Sequence, residues 1–259
     1  MNSINRRKVL KAVKGSHEGL QEILASIKDI NAQDEYGFNL LRWAIIYGDA
    51  YAVREILKAG GSQVYEDGVT ALHIAAEGSS TDIIHVLVEY GADINARDES
   101  DQTPIHWSSC VNNEENTQFL ISLGAEINIK DCGGFSPLHN SCLTGNIGAL
   151  DALIFAGADI NAKSRCGETP LMLSVYKNYV VCTEKLLQNE AEVNVQDRAG
   201  MTALHYAVVQ ENKRIVELLL SYGADVTIKD EDGDTPLDLA NRLESESIIS
   251  ILENHANKA

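Results

Sequence analysis

Basic residues are scarce in this chain. Against 38 Asp+Glu stand 21 Lys+Arg, a formal charge of −17 at pH 7, and a surface of that sign repels a phosphate backbone or an anionic membrane. Long apolar runs are missing as well: nothing approaches the roughly 20 consecutive apolar residues that cross a bilayer. Lys11 and Lys14 interrupt the apolar stretch that an export signal would need after Arg6, Arg7 and Lys8. Cys110, Cys132, Cys142, Cys166 and Cys182 form an odd set without a Cys-x-x-Cys pair, which reads as free thiols in a reducing compartment. The glycine-rich nucleotide motifs, HExxH and Gly-x-Ser-x-Gly are all absent. These absences predict a soluble, cytoplasmic, monomeric protein with no enzymatic activity, no cofactor, no metal ion, and no nucleic-acid or membrane partner.

A 44% hydrophobic content argues for a folded chain, and internal repetition organises it. TALH at Thr70, TPIH at Thr103, SPLH at Ser136, TPLM at Thr169, TALH at Thr202 and TPLD at Thr235 begin 33 residues apart in every interval. Asn95, Asn128, Asn161 and Asn194 follow the same step, and so do Gly91, Gly124 and Gly157, with Gly223 two steps later.

Chemistry within one period gives the order of elements. Thr and Pro suit the capped first turn of a helix, which runs through Leu204, Ala207 and Val208 to a polar break at Gln210 to Lys213. A second helix carries Ile215, Val216, Leu218 and Leu219 at helical spacing and stops at Gly223, which supplies a left-handed residue. The stretch to Gly233 reads as an extended strand and a tight turn. Helices of about ten residues are below the roughly 12–15 needed for independent marginal stability, so each pair must stack on its neighbours.

The 33-residue period, the TPLH box and the GADINA box, as at Gly91 to Ala96 and Gly157 to Ala162, resemble the ankyrin repeat family over nearly the whole chain. The resemblance implies an all-α fold with short β-hairpin loops, an α-solenoid of about seven repeats plus an N-terminal degenerate helix pair. Residues 1–33 are the degenerate cap, 34–229 six repeats and 230–259 the C-terminal capping repeat, one continuous domain. In the cap, Val9, Leu10, Val13, Leu20, Ile23, Leu24 and Ile27 occupy the faces of two helices, and Arg6, Arg7, Lys8, Lys11 and Lys14 keep an outer face polar. Two units depart from the pattern. The 34–64 unit is two residues short and reads NLLR in place of the box, and Glu190 takes the glycine register of 164–196.

His73, His106, His139 and His205 share one register, but stacked helices lie roughly 8–10 Å apart and a zinc ion needs each ligand at about 2 Å. They cannot share a metal. The resemblance implies that they order the turn by hydrogen bonding. Cys132 and Cys166 fall on neighbouring hairpins too widely spaced for a disulfide. Asn95, Asn128, Asn161 and Asn194 are accounted for by turns in which the side chain bonds its own backbone. Each also follows a Leu eight residues earlier (Leu87, Leu120, Leu153, Leu186) and an acid-plus-aliphatic pair, similar to the pattern hydroxylated in eukaryotic ankyrin domains, so the four are candidate modification sites.

In the family, partners sit on the hairpin tips and the inner face of the first helices. With the Thr, Ser or Asn of each box at position six, positions two, three and five are tips and ten, thirteen and fourteen face the groove. Trp43, Trp107 and Tyr206 fall at ten, Tyr47 and Tyr176 at fourteen and thirteen, and Tyr36, Phe38 and Phe135 at tips. Aromatics are only 6% of the chain, so their concentration on one face predicts a binding hot spot. Glu66, Asp67, Glu99 and Glu168 add acidic tips, which fit a partner with Lys and Arg around an apolar centre. The expected function is non-enzymatic binding of a specific protein through the concave groove and tips, as adaptor or stoichiometric inhibitor. An all-repeat chain leaves little for an adaptor to deliver, which favours a single partner. The alternatives are small-ligand or nucleic-acid binding, or a secreted effector acting on host proteins.

Overall fold

A computed structural model describes residues 17–78, 80–111 and 113–257. Among them are fifteen α-helices and no strand. The helix α1 (His17–Ser26) comes first, followed by α2 (Leu40–Ile46) with α3 (Ala50–Lys58), α4 (Ala71–Gly78) with α5 (Thr81–Glu89), and α6 (Pro104–Cys110) with α7 (Glu114–Ser122). Then come α8 (Pro137–Thr144) with α9 (Ile147–Phe155), α10 (Pro170–Tyr176) with α11 (Val180–Gln188), α12 (Ala203–Val209) with α13 (Lys213–Ser221), and α14 (Pro236–Arg242) with α15 (Glu246–Ala256). The basic residues Arg6 to Lys14, with Val9, Leu10 and Val13, lie outside the described residues.

The chain forms two compact units, Met1–Glu126 and Ile127–Ala259. In the first, α2, α4 and α6 pack in succession as one layer, and α1, α3, α5 and α7 as another. In the second, α8, α10, α12 and α14 make one layer and α9, α11, α13 and α15 the other. The apolar spacing explains this. Ile83, Ile84 and Leu87 of α5, and Ile215, Val216 and Leu219 of α13, are completely buried. Each such side chain contributes about 1.5–3 kcal/mol only when neighbours cover it, which a helix of 7 or 9 residues cannot do alone.

Helix ends follow the sequence signals. Thr103, Ser136, Thr169, Thr202 and Thr235 are N-caps closed by reciprocal capping boxes, and Pro104, Pro137, Pro170 and Pro236 start their helices. Gly91, Gly124, Gly157 and Gly223 take left-handed backbone after the second helices, and Glu190 is forced into the same conformation at φ 64°.

The expected strands are a correction. The turns close on themselves with a backbone bond across five residues, such as Asp98 N–H to the Gln102 carbonyl at 2.9 Å and Asp197 N–H to the Met201 carbonyl at 3.1 Å, and a second inside it, Asp101 N–H to the Asp98 carbonyl and Gly200 N–H to the Asp197 carbonyl. With a helix cap following at once, the arms are too short to build a ladder. Neighbouring turns are joined by single bonds, Glu99 N–H to the Asp67 carbonyl and Arg198 N–H to the Cys166 carbonyl among them. One isolated antiparallel bridge, Val64 with Thr70, occurs beside the atypical turn at Glu66–Gly68.

Candidate interaction surface

The repeated polar residues are spent on the scaffold. In the first unit His73 Nδ1 accepts the Thr70 N–H at 3.1 Å, while Nε2 lies 3.0 Å from the Gln102 carbonyl of the next turn. In the second, His139 does the same with Ser136 N–H at 3.0 Å and the Glu168 carbonyl at 3.2 Å, and His205 with Thr202 N–H and the Asp234 carbonyl. His106 caps Thr103 in the same way. An acceptor at Nδ1 and a donor at Nε2 require the neutral ring, and burial lowers the His73 and His205 pKa and takes that of His139 down to about 4. Among the described residues no group of three or more His, Cys, Asp or Glu could hold a metal ion.

The asparagine ladder has a different basis from the expected self-bonded turn. Asn95 Oδ1 accepts the N–H of Glu126, Asn128 that of Asp159, Asn161 that of Glu192 and Asn194 that of Asp225, each 31 residues further on. The self-bonded turn is made instead by aspartate. One carboxylate oxygen of Asp34, Asp98, Asp131, Asp197 or Asp230 accepts the N–H groups two and four residues later at 2.8–3.0 Å. Leu87, Leu120, Leu153 and Leu186, in the asparagine pattern, are fully buried core.

The second aspartate oxygen explains the position-ten aromatics. Trp43 Nε1–H donates to Asp34 Oδ2 at 2.8 Å, Trp107 Nε1–H to Asp98 Oδ2 at 3.0 Å, and the Tyr206 hydroxyl to Asp197 Oδ2 at 2.6 Å. These rings buckle the tip of a turn to the helix that follows it. Trp43 is 7% exposed, which corrects its expected place on an open surface: its indole is held between Phe38 and Tyr47, at ring distances of 5.2 and 5.6 Å. Trp107 is half-buried with its ring 5.4 Å from His73 of the preceding helix pair, so it too packs sideways. The predicted aromatic stripe is therefore partly internal, because an indole N–H beside a carboxylate that already orders the turn gains more as a brace than in solvent.

The other predicted residues sit nearer solvent. In the first unit Tyr36 is 57% exposed, Phe38 and Tyr47 are half-buried, and the Arg42 guanidinium lies 3.9 Å from the Phe38 ring centre. Asp67 and Glu99 are exposed; the Glu66 side chain lies outside the described residues. In the second unit Tyr176 is 48% exposed, its ring 6.0 Å from that of Tyr206. Phe135 is half-buried edge-on to His139, and Glu168 is half-buried with a carboxylate oxygen bonded to the Ser164 hydroxyl.

A repeating set of caps, cross-bonds and left-handed glycines at one period decides the family. A family model described as ankyrin repeats (3 copies) matches residues 9–98, 96–164, 138–230 and 171–259. The chain belongs to the ankyrin repeat family. Among similar proteins, the ankyrin repeat domain-containing protein SAT10 of Stachybotrys chartarum is 37% identical over 87 residues, 33% of this chain and 4% of that protein. The Neurogenic locus notch homolog protein 1 of Xenopus laevis is 32% identical over 100 residues, 37% of this chain and 4% of its own length. The NF-kappa-B inhibitor cactus of Drosophila melanogaster is 44% identical over 54 residues, 20% and 11% of the two chains. This chain thus matches only a small part of each relative. Ankyrin repeats are generally protein-interaction modules, and no helix among the described residues is long and apolar enough to cross a membrane.

Sequence reasoning missed two features of these ankyrin repeats. Position thirteen carries Ile46 at 47% exposure and Val209 at 44%, aliphatic residues passed over in a search for aromatics. The second is the pairing of each position-ten ring with the aspartate nine residues before it, a spacing visible in the sequence at Asp34/Trp43, Asp98/Trp107 and Asp197/Tyr206.

Proposed function

We propose that this ankyrin repeat chain binds a specific protein stoichiometrically, through first-helix and tip side chains, and blocks that protein's other contacts. One observation carries the reading: the side chains that recur from repeat to repeat are used up in internal hydrogen bonds, while several of those that vary at the tips and on the first helices, among them Tyr36, Ile46, Glu99, Tyr176 and Val209, are exposed. In the first unit Tyr36, Tyr47, Asp67 and Glu99 offer an aromatic and acidic surface, suited to a partner bearing Lys or Arg beside an apolar centre. The similarity to a stretch of a protein named as an inhibitor supports blocking over joining.

The test is affinity capture from native lysate with the wild type and with Tyr36→Ser/Glu99→Lys, both checked by circular dichroism. Trp43 and Trp107 are unsuitable because their removal opens the scaffold. The expected result is one stoichiometric partner lost by the variant. Capture of the same proteins in the same amounts by both would overturn the reading.

A further inference from the structure

We infer that the first-helix face of the second unit docks a partner segment combining apolar side chains with carboxylates. This rests on the protein-binding reading above and assigns to one face a chemistry opposite to that of the acidic tips in the first unit.

Position thirteen of α8, α10 and α12, three helices packed in succession, holds Leu143, Tyr176 and Val209. Tyr176 and Val209 are 48% and 44% exposed, Leu143 is half-buried, and Tyr206 lies edge-on to Tyr176. Position fourteen adds Thr144, Lys177 and Gln210, so neither row contains a carboxylate. An open apolar strip of this kind invites burial, and the tyrosines offer area with little rotamer freedom to lose.

Charge identifies what covers it. Lys177 is exposed, its ammonium 5.3 Å from the Tyr176 ring centre. At tip position two stand Arg165 and Arg198, both exposed, whose backbone N–H groups are tied to the Gly133 and Cys166 carbonyls at 2.8 Å. Their side chains therefore start from fixed points. Neither arginine nor Lys177 has an ion-pair partner among the described residues, whereas Lys185 and Arg242 of the same unit are paired with Asp151 and Asp234. In the first unit the same tip position is Glu35, Glu66 and Glu99. The two tips that carry these arginines hold two acids, both occupied: Glu168 is half-buried on the Ser164 hydroxyl, and Asp197 accepts the Ala199 and Met201 N–H groups and the Tyr206 hydroxyl. The exposed Glu211 follows Gln210, and tip position two becomes acidic again at Glu231. In a chain of net charge −17, cations left unpaired beside an apolar strip suit a segment with Asp or Glu flanking its apolar residues, which guanidinium groups grip in bidentate fashion.

The probe is a phage-displayed library of random 16-residue peptides, panned on the whole protein. Enriched sequences are expected to be net acidic with apolar anchors. A synthetic winner should lose at least tenfold in affinity on Tyr176→Ser/Val209→Ser and on Arg165→Glu/Arg198→Glu, and stay within twofold on Val181→Ser, an exposed residue of the other helix layer. All these positions are solvent-facing, and circular dichroism verifies the fold. Net-basic winners, no enrichment, or winners indifferent to Tyr176 and Val209 would overturn the proposal. Capture of a partner through Tyr36 and Glu99 with any of those outcomes would leave the general reading standing and remove this one alone.

Discussion

Acid should weaken the scaffold through its histidines before it reaches most of the carboxylates, and His139 allows the effect to be sized. Its ring is completely buried, and Nδ1 is committed as an acceptor from Ser136. Protonation would break that cap. Burial is the main cause of the lowered pKa, from 6.5 to about 4; Lys130 pushes the same way, while the Glu168 and Ala162 carbonyls and Asp131 push back. The folded pKa lies below the unfolded one, so the unfolded chain binds more protons between the two. The contribution is fully present above pH 6.5 and is lost as pH falls towards 4. At pH 5 the loss is about 2 kcal/mol, and about 3 kcal/mol once the window is crossed. Nature's own control is Met172, which occupies the same register and receives the Thr169 N–H on its sulfur at 3.4 Å without titrating. His139→Met should therefore be less stable than wild type by about 1–2 kcal/mol at pH 7.5, having lost the donor to the Glu168 carbonyl. Urea unfolding at pH 7.5, 6.5, 5.5 and 5.0 compares the two proteins, and carboxylates common to both cancel. The gap should close, or invert, by pH 5. A gap constant across that range would refute the assignment of a neutral, cap-bound ring.

Three further outcomes follow from single contacts. Glu190→Gly relieves a left-handed residue and should stabilise by about 0.5–1 kcal/mol, read as a higher urea midpoint. Tyr206→Phe removes the hydroxyl bonded to Asp197 and should cost about 1 kcal/mol with helicity unchanged; a neutral result would mean that the buckle adds nothing to the turn. Gly200→Ala places a methyl 2.8–2.9 Å from backbone atoms of Asp230 and Glu231, at φ 73°. It should lower the thermal midpoint more than Tyr206→Phe does, by an energy above about 2 kcal/mol, whereas Gly157→Ala, with nothing within 4 Å, should show only the cost of its left-handed backbone.

The scaffold was legible because each repeat states its rules locally and then restates them. A Thr-Pro start, a histidine three residues into the helix and a glycine stop act within one turn of backbone, so reading them needs no knowledge of neighbours. Even the left-handed strain at Glu190 could be read from its register. The asparagine ladder was less legible, since the N–H that each side chain meets is 31 residues away and only stacking brings it near. The same limit applied to the surface. Composition and register placed Trp43 and Trp107 on the helix that faces the groove, but whether an indole faces solvent or turns back to Asp34 and Asp98 depends on the free oxygen a turn leaves after satisfying its own backbone. By itself, then, the sequence determined the repeating unit, its order of helices and the residues that close it. Tertiary packing decided which side chains remain on the outside, because burial is a property of the neighbours that arrive and the one-dimensional pattern records only which residues are available to meet them.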